Sequence, residues 1–278
     1  MDLKITTLIE NNQDNDKRLF YEHGLSLYIE ADNKKILFDT GQTGDFIKNA
    51  KLLKKPLDDL DYVILSHGHY DHSGGVKKLL NHLNRNTKFI MGKEYFYPKY
   101  KKIEKDEYKF NGNSFDENYL ISKGFSIKKE DSDIEFLTKK IILFHNFNKF
   151  TNYEKINKKF FIKKQNEFIP DDFKDEMAMG IITQKGLVVI VGCSHIGIIN
   201  ILKSIKERIN INIYAVIGGT HMIEADDITI DNTISDFKKL KINSIAVSHC
   251  TGEKAIEKIK DIFSENFVIN NTGNIIKI

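Results

Sequence analysis

The sequence predicts an α/β fold in which helices cover β-sheets. Short apolar runs alternate with segments of helical period along the chain. From about residue 187 onwards, strands and helices follow one another in a regular order. Several predicted strands end in short polar loops, and loops at strand ends are where the sites of α/β proteins assemble.

The composition is that of an ordinary globular protein, with 41% hydrophobic and 29% charged residues among 278. The 42 basic and 39 acidic residues nearly cancel, so the net charge of +3 predicts no nucleic-acid surface. No apolar run approaches the ~18 residues of a membrane-spanning helix. The N-terminus lacks signal-peptide features, and Cys193 and Cys250 alone do not suggest a secreted disulfide scaffold. We expect a cytoplasmic protein without a membrane partner, and the oligomeric state stays open.

The first third of the chain is predicted to form strands around one helix. Strands are expected at residues 1–8, 25–31, 35–39, 62–66 and 88–91. The second and third form a hairpin, because Asp32-Asn33-Lys34 between them is a turn sequence. The run 62–66 is apolar without alternation, which is typical of a buried strand. Ser73 is expected to cap a helix that runs to about His82, since apolar residues recur on one face between them.

Residues from about 92 to 130 carry many aromatic side chains without a clean period. We interpret this segment as an insertion over the core that shapes a pocket; the alternative is a satellite hydrophobic cluster without a ligand role. The Lys- and Asn-rich segment 148–167 is expected to be exposed. Further strands are predicted at residues 134–137, 141–145, 177–183, 187–191, 213–217 and 245–248, followed by two short ones. Helices are predicted at residues 196–209, 227–240 and 252–262.

The run His67-Gly68-His69-Tyr70-Asp71-His72 places four possible metal ligands directly after a predicted strand. His67 and His69 are two positions apart in extended backbone, so their side chains point the same way and supply half of a tetrahedral zinc site. Asp71 and His72 follow where the chain turns into a helix, so they can serve a second metal. Two metals ~3.5–4 Å apart can share a water-derived nucleophile and clamp a displacement reaction.

Three later segments place a histidine just beyond a predicted strand: Gly192-Cys193-Ser194-His195, Gly218-Gly219-Thr220-His221 and Ser248-His249-Cys250. The four ligands of one loop need partners from distant loops, and these three segments offer them. His221 can ligate a metal, contact the substrate or transfer a proton, and we favour the last two roles. The other three histidines, His23, His82 and His145, are expected to be ordinary surface or core residues.

This pattern resembles the metallo-β-lactamase fold superfamily. The resemblance rests on Leu37-Phe38-Asp39-Thr40-Gly41, on the His-x-His-x-Asp-His run and on the late histidines, and it extends from about residue 20 to the end. The segments around Cys193, His221 and His249 resemble the branch of the archaeal dihydropterin–ribofuranosylaminobenzene phosphate synthases and related metal-dependent hydrolases. The resemblance implies one domain over residues 1–278, folded as a four-layer αββα sandwich with the inserted aromatic-rich segment and a dinuclear site at one edge.

The resemblance also implies roles for single residues. The implied ligands of one metal are His67 and His69, and those of the other are Asp71, His72 and His249. Asp39 would support the histidine loop from behind by accepting a hydrogen bond from a ligating histidine.

Two departures from the superfamily pattern leave alternatives open. No histidine lies between His145 and His195, where a third ligand of the first metal usually stands. We expect His195 to take that place, with Glu176 as the alternative. Cys193 stands where a bridging aspartate normally follows a strand. Either water alone bridges the metals or the thiolate takes part, and a small buried residue without a metal role is the simpler interpretation.

These residues predict a dinuclear metal-dependent hydrolase in which a metal-bound hydroxide attacks the substrate. Asp71 would orient the nucleophile and accept its proton, and His221 would protonate the leaving group or bind an oxyanion. Two divalent ions are expected, zinc in the first place, with iron or manganese as alternatives. Backbone N–H groups at Ser73-Gly74-Gly75 and Gly197-Ile198 would favour a small phosphate- or carboxylate-bearing, anionic substrate. The alternative function is a transferase of the synthase type, in which the metals hold the leaving group.

Overall fold

Three β-sheets and seven α-helices make up the part of the chain that the computed structural model describes, residues 3–13, 17–105 and 107–278. The strands are β1 Lys4–Ile9, β2 Ser26–Ala31, β3 Lys34–Phe38, β4 Tyr62–Leu65, β5 Lys88–Gly92, β6 Lys99–Glu104, β7 Glu107–Phe110, β8 Ser126–Glu130, β9 Ile134–Phe136, β10 Ile141–Phe144, β11 Phe160–Lys164, β12 Glu167–Pro170, β13 Ala178–Thr183, β14 Gly186–Val191, β15 Ile213–Gly218, β16 Ser244–Val247, β17 Phe267–Ile269 and β18 Ile275–Lys277. The helices are α1 Phe46–Leu52, α2 Tyr70–Ser73, α3 Val76–Leu79, α4 Glu117–Ser122, α5 Ile198–Arg208, α6 Asp227–Lys239 and α7 Glu253–Phe263. In the described ranges no helix has the length and apolar character that crossing a membrane requires.

Two seven-stranded sheets form the body of the protein. Their strand orders are β18-β1-β2-β3-β4-β5-β8 and β17-β16-β15-β14-β13-β10-β9. The strands β3, β4, β5 and β8 run parallel in the first sheet, and β14, β15, β16 and β17 run parallel in the second. Parallel neighbours end at the same edge of a sheet, so the loops after β3 and β4 leave the first sheet together, and those after β14, β15 and β16 leave the second together.

Apolar side chains cover both faces of each large sheet. One buried cluster lies between the sheets and includes Leu27, Ile36, Leu143 and Ile190. A second packs helices α5, α6 and α7 on the outer face of the second sheet, and a third packs α1, α3 and α4 on the outer face of the first. The layers therefore run helix, sheet, sheet, helix, and the predicted αββα fold class is confirmed.

The helix expected after Ser73 begins earlier than the sequence indicated. His69 is the N-cap residue of α2, which covers Tyr70–Ser73, and Ser73 is its last residue. The Ser73 hydroxyl donates to the His69 carbonyl oxygen at 2.7 Å and caps nothing. A separate short helix, α3, follows after two glycines. This early start places Asp71 and His72 in the first helical turn, directly after the two histidines that follow β4.

The aromatic-rich segment 92–130 has a different make-up from the one expected. Its last strand, β8, is the edge strand of the first large sheet rather than part of an insertion. Its strands β6 and β7 join β11 and β12 from the segment 148–170 in a separate four-stranded sheet, in the order β12-β11-β6-β7. On this small sheet aromatic rings pack on one another, with Tyr108 and Phe168 stacked at 4.0 Å between centroids. The segment 148–167, predicted to be exposed, contributes buried Thr151, Glu154 and Phe160.

We expect the layer between the sheets to contribute strongly to stability. Ile190→Ala removes buried methyl and methylene groups from this layer and should lower the free energy of unfolding by about 2–5 kcal/mol. Ile228→Ala is the matched control, because Ile228 is 70% exposed on α6, and its effect should stay within about 0.5 kcal/mol. Urea unfolding of the two variants tests this. Equal losses would mean that the sheets are not packed on one another through Ile190.

Candidate metal centre

Three histidine nitrogens converge at the end of β4. Nε2 of His67 lies 3.1 Å from Nδ1 of His69 and 3.2 Å from Nε2 of His195, and all three side chains are buried. Metal–nitrogen bonds of ~2.0–2.1 Å at tetrahedral angles put two ligand nitrogens about 3.3 Å apart. The spacing of these three atoms, the first cluster, therefore fits a single cation.

A second set of ligand atoms lies beside the first. Nε2 of His249 lies 3.1 Å from Nε2 of His72 and 3.2 Å from Oδ2 of Asp71, and the Asp71–His72 distance between these atoms is 3.8 Å. These three residues, the second cluster, are buried. His23, expected to be an ordinary residue, places its half-exposed ring with Nε2 3.2 Å from Oδ2 of Asp71. The sequence carried no signal for His23, since only the fold brings it to the loop.

A buried carboxylate determines which ring nitrogens carry protons. The Ser66 hydroxyl donates its one proton to Oδ2 of Asp39 at 2.7 Å, so the hydroxyl oxygen accepts from Nδ1 of His67 at 2.9 Å. Nδ1 of His72 donates to the same Asp39 oxygen at 2.6 Å. When neutral, both histidines are thereby left with bare Nε2 atoms facing the clusters. Asp39 supports the loop from behind, in the position that the resemblance implied.

His249 is oriented by residues that sequence reasoning missed. Its Nδ1 donates to Oδ1 of Asn11 at 2.9 Å, which leaves Nε2 bare. Its backbone N–H donates to Oε1 of Glu10 at 2.6 Å. The bare Nε2 atoms of His72 and His249 face each other at 3.1 Å, so a proton or a cation must lie between them to prevent repulsion of their lone pairs. The donor sets of both clusters therefore fit metal ions.

The electrostatics differ between the clusters. Burial lowers the pKa of His67, His69 and His195 well below the usual value, so these three are neutral at physiological pH. Burial also acts to lower the pKa of His72, but the carboxylates of Asp39 and Asp71 outweigh it and raise that pKa to about 9. Without a cation His72 therefore holds a proton, which a metal ion would have to displace.

Several residues of the site have left-handed backbone conformations just after a strand. Asp39 follows β3 with φ 61°, Ser194 lies beyond β14 with φ 60°, His221 beyond β15 with φ 48° and His249 beyond β16 with φ 56°. Such conformations cost non-glycine residues ~1–3 kcal/mol each and cluster at functional sites. Here they turn the chain sharply at the sheet edge, where the two clusters lie.

Cys193 is buried, and its sulfur reaches both clusters. Sγ lies 3.1 Å from Nε2 of His72, and it groups with the ligand nitrogens of His67 and His72 within 4.8 Å. Sγ also groups within 4.8 Å with Cys250 and His221. Burial and the neighbouring Cys250 sulfur raise the pKa of the Cys193 thiol well above its usual value.

Glu176, the alternative ligand for the first metal, has another role. Its carboxylate accepts from the backbone N–H groups of His195 at 2.8 Å and Ile196 at 3.0 Å. Burial raises its pKa to about 7. Among the described residues, the groups of possible metal ligands include His195 and not Glu176. Glu176 thus holds the backbone of the loop that presents His195.

A buried charge network lies under the histidine loop. The Lys99 ammonium group contacts carboxylate oxygens of Asp171 and Asp175 at 2.8 Å each, and all three side chains are buried. The other oxygen of Asp175 accepts from the Gly68 N–H at 2.7 Å. Burial acts to lower the pKa of Lys99, but the two carboxylates outweigh it and raise that pKa. The network fixes the loop backbone between His67 and His69.

Four of the five backbone N–H groups that the sequence offered for a substrate anion, those of Ser73, Gly74, Gly75 and Gly197, donate to backbone carbonyl oxygens, so the expectation is wrong for these four. Ser73, Gly74 and Gly75 donate to carbonyl oxygens of His69, Tyr70 and Gly41. At the start of α5, the N–H groups of Ile199 and Asn200 donate to the Glu154 carboxylate at 2.8 and 2.9 Å. Glu154 comes from the segment predicted to be exposed, and it occupies the position that a substrate anion would need.

His221 lies where the first cluster meets a cavity of about 320 Å³. Its ring is 4.1 Å from that of His195 between centroids, and both rings line the cavity with Lys155, Glu224 and Asp226. Nδ1 of His221 is buried and has no hydrogen-bond partner among the described residues. Burial acts to lower the pKa of His221, but the Cys250 sulfur and the carboxylates of Glu176 and Glu224 together outweigh burial and raise that pKa.

Aromatic rings close the first cluster on the side of the small sheet. Phe173 stacks on His195 at 4.0 Å between centroids, and Phe160 lies 5.0 Å from His69. Residues 92–130 reach the loop through Lys99, which contacts Asp175 beneath it, and through Asn111, whose carbonyl oxygen accepts from the Tyr70 N–H at 3.1 Å. The aromatic side chains next to the histidines therefore come from residues 160–173, outside the segment that the sequence indicated.

Comparisons with known proteins agree with this geometry. A family model described as the metallo-beta-lactamase superfamily matches residues 21–144. The chain is 32% identical to a 7,8-dihydropterin-6-methyl-4-(beta-D-ribofuranosyl)-aminobenzene-5'-phosphate synthase of Methanocaldococcus jannaschii, over 99% of this chain and 96% of that protein. It is 34% identical to an uncharacterized protein of the same organism, over 94% of this chain and 96% of that one. The crystal structure of Tm1679, described as a metal-dependent hydrolase of the beta-lactamase superfamily, superposes with a TM-score of 0.84 at 30% identity, covering 99% of both chains. The resemblance drawn from the motifs is confirmed.

Removing the charge of Asp39 should weaken metal binding without unfolding the protein. Asp39→Asn keeps the side-chain size and tolerates the left-handed backbone, but it supplies one acceptor oxygen in place of two. Because partners behind metal ligands are worth about 10–100-fold in affinity, we expect a loss of that size in zinc affinity. Competition with a chromogenic chelator measures it. Asp59→Asn, at an exposed carboxylate, is the control, and equal affinities of the two variants would contradict this role.

Lys99 should be required for stability. Lys99→Met leaves two buried carboxylates without their cation and should cost about 3–5 kcal/mol. Adding Asp171→Asn to the same chain should recover part of the loss, since it removes one uncompensated charge. Urea unfolding measures both variants against Lys109→Met on the exposed face of β7. If Lys99→Met were as stable as Lys109→Met, the network would not hold the loop.

Proposed function

Because this chain belongs to the metallo-β-lactamase superfamily, we propose that it is a metal-dependent hydrolase with a dinuclear centre. The observation that carries the proposal is the convergence of histidine nitrogens and the Asp71 carboxylate in two adjacent clusters at the sheet edge. The proposed ligands of one ion are His67, His69 and His195, and those of the other are Asp71, His72 and His249. Two divalent ions held there, zinc in the first place and iron or manganese as alternatives, would lower the pKa of a water towards ~7 and polarise the scissile bond.

Asp71 is the proposed base of the reaction. Its Oδ2 faces His249 and His23 at 3.2 Å each, at the edge of the second cluster. Burial acts to raise the pKa of Asp71, but His72, His23 and His249 outweigh it and hold that pKa well below its usual value. The carboxylate is therefore ionised and can orient a water molecule and accept its proton.

His221 is the proposed acid. It lines the cavity next to His195, so a substrate held at the first cluster would place its leaving group near this ring. The raised pKa increases the protonated fraction of His221 at neutral pH. A protonated ring can donate to a leaving group or to a developing oxyanion.

The proposed substrate is a small molecule with a phosphate or carboxylate group. Support for an anion comes from the positive charge of the proposed metal ions, since Lys155 in the cavity wall is offset by Glu224 and Asp226, and the N–H groups of Ile199 and Asn200 already donate to Glu154. A transferase is the second candidate, because the Methanocaldococcus jannaschii relative aligned over nearly the whole chain is named a synthase. A synthase-type reaction would use the same residues but would require a second organic substrate.

Metal reconstitution tests the proposal. Apoprotein supplied with zinc, manganese or iron should bind two ions per chain and hydrolyse an activated phosphodiester or ester. Asp71→Asn and His221→Gln should lower kcat about 10²–10⁴-fold, since each removes a proton-transfer group. His82→Gln, at an exposed histidine, should leave kcat unchanged.

Three outcomes separate the candidates. Binding of at most one ion under saturating supply would rule out the dinuclear centre. Two bound ions with turnover of the phosphodiester in water alone would support the hydrolase. Two bound ions with turnover only when a second organic substrate is supplied would favour the transferase.

A further inference from the structure

A cysteine side chain lies between the two clusters. Cys193 follows β14 after a single residue, and its side chain is 3% exposed. Its sulfur groups within 4.8 Å with a nitrogen of His67 from the first cluster and a nitrogen of His72 from the second. One atom thus lies close to a proposed ligand residue of each cation.

The carboxylates near the two clusters either accept hydrogen bonds from other groups or lie at one cluster only. Both oxygens of Asp39 accept hydrogen bonds from Ser66, and one also accepts from His72. Both oxygens of Glu176 accept backbone N–H groups. Asp71 groups with His249 and His23, on the side of the second cluster. The Cys193 sulfur, by contrast, lies 3.1 Å from Nε2 of His72 and groups with a nitrogen of His67, so it is placed between the two clusters.

A thiolate is suited to this position. It carries one negative charge and several lone pairs, so it can bind two cations at once, with sulfur–zinc distances of ~2.3 Å. Unlike a carboxylate, it is a soft donor, and soft donors favour zinc or ferrous iron, whereas carboxylate-rich sites suit manganese.

We propose that the Cys193 thiolate bridges the two cations of the centre and biases it towards zinc or ferrous iron over manganese. This inference rests on the proposed dinuclear centre. On binding, the thiol S–H bond breaks, its proton leaves to solvent, and the sulfur forms one bond to each cation. No electron transfer is involved.

Cys250 provides a matched control. It is also buried, at 6% exposure, and its sulfur donates to the Cys193 carbonyl oxygen at 3.4 Å. It also accepts the His221 N–H at 3.3 Å. Cys250 groups with Cys193 and His221 within 4.8 Å. Its sulfur thus hydrogen-bonds to the backbone of Cys193 and His221, whereas the Cys193 sulfur lies 3.1 Å from Nε2 of His72.

Cobalt titration with optical and X-ray absorption tests the bridge. Apoprotein of the wild type, Cys193→Ser, Cys193→Asp and Cys250→Ser is titrated with Co²⁺, and circular dichroism checks that each variant is folded. In the wild type, the sulfur-to-cobalt charge-transfer band in the near ultraviolet should grow with the first and the second equivalent. The zinc-loaded protein should show a sulfur neighbour at ~2.3 Å from zinc.

The variants should separate the two cysteines. Cys193→Ser and Cys193→Asp should lose the band and the sulfur neighbour, and Cys250→Ser should keep both. Cys193→Asp should still bind two ions, because the carboxylate restores the charge, but manganese should compete better against zinc than in the wild type.

Several results would overturn the bridge. Binding of two cobalt ions without a sulfur band would contradict the thiolate bridge but would still support the dinuclear centre. A band that grows with one equivalent only would make Cys193 a ligand of a single ion. Loss of the band in Cys250→Ser but not in Cys193→Ser would show that Cys250, and not Cys193, is the sulfur ligand. Fewer than two bound ions in the wild type would overturn both this inference and the proposed dinuclear centre.

Discussion

The buried carboxylate of Asp39 connects the two halves of the candidate metal centre. One oxygen accepts the Ser66 N–H, and the other accepts the Ser66 hydroxyl and Nδ1 of His72. Through the Ser66 hydroxyl it also fixes the proton of His67, so it determines the tautomer of one histidine in each cluster. A fully buried charge is costly to desolvate, and these donors offset that cost. One side chain behind the loop thereby prepares both clusters for a cation.

Each cluster contains residues from loops of both large sheets. The first sheet provides the loop after β4, and the second sheet provides the loops after β14 and β16. In the first cluster His195 meets His67 across this boundary, and in the second His249 meets His72. The distances between these nitrogens therefore depend on how the two sheets pack, and the apolar layer between them positions the chemistry as well as stabilising the fold.

The site combines features that are each unfavourable for folding. Left-handed residues end several strands, neutral histidines are packed together, and Lys99 is buried with two carboxylates. Each is offset locally: Glu10 and Glu176 hold the backbone of the histidine loops, and Glu154 occupies the start of α5. Gly197, with φ 100°, is part of that arrangement, because a β-carbon there would lie 2.5 Å from the Glu154 carboxylate. Such local compensation is typical of sites that are formed before the ligand arrives.

Much of the fold and part of the site follow from the sequence alone. The alternation of strands and helices indicated sheets covered by helices. The resemblance built on the run from His67 to His72 and on the late histidines, which are local patterns, indicated the four layers and all six of the proposed ligands. Helix starts were less accurate: the pattern placed Ser73 at a cap, whereas the turn begins at Tyr70. At the start of α5, the Gly197 N–H that was expected to be free donates to the Ser194 carbonyl oxygen, and nothing local reveals that Glu154, more than forty residues earlier, accepts the next N–H groups, those of Ile199 and Asn200.

The tertiary structure alone decided the contacts between distant segments. His23, Asn11 and Glu10 carry no motif, yet the packing of the sheets brings them to Asp71 and His249. Lys99 looks like any other lysine of a lysine-rich chain until Asp171 and Asp175 close around it. The physical reason is range: periodicity and ligand spacing act over a few residues, whereas hydrogen bonds and ion pairs across the sandwich depend on where the two sheets meet.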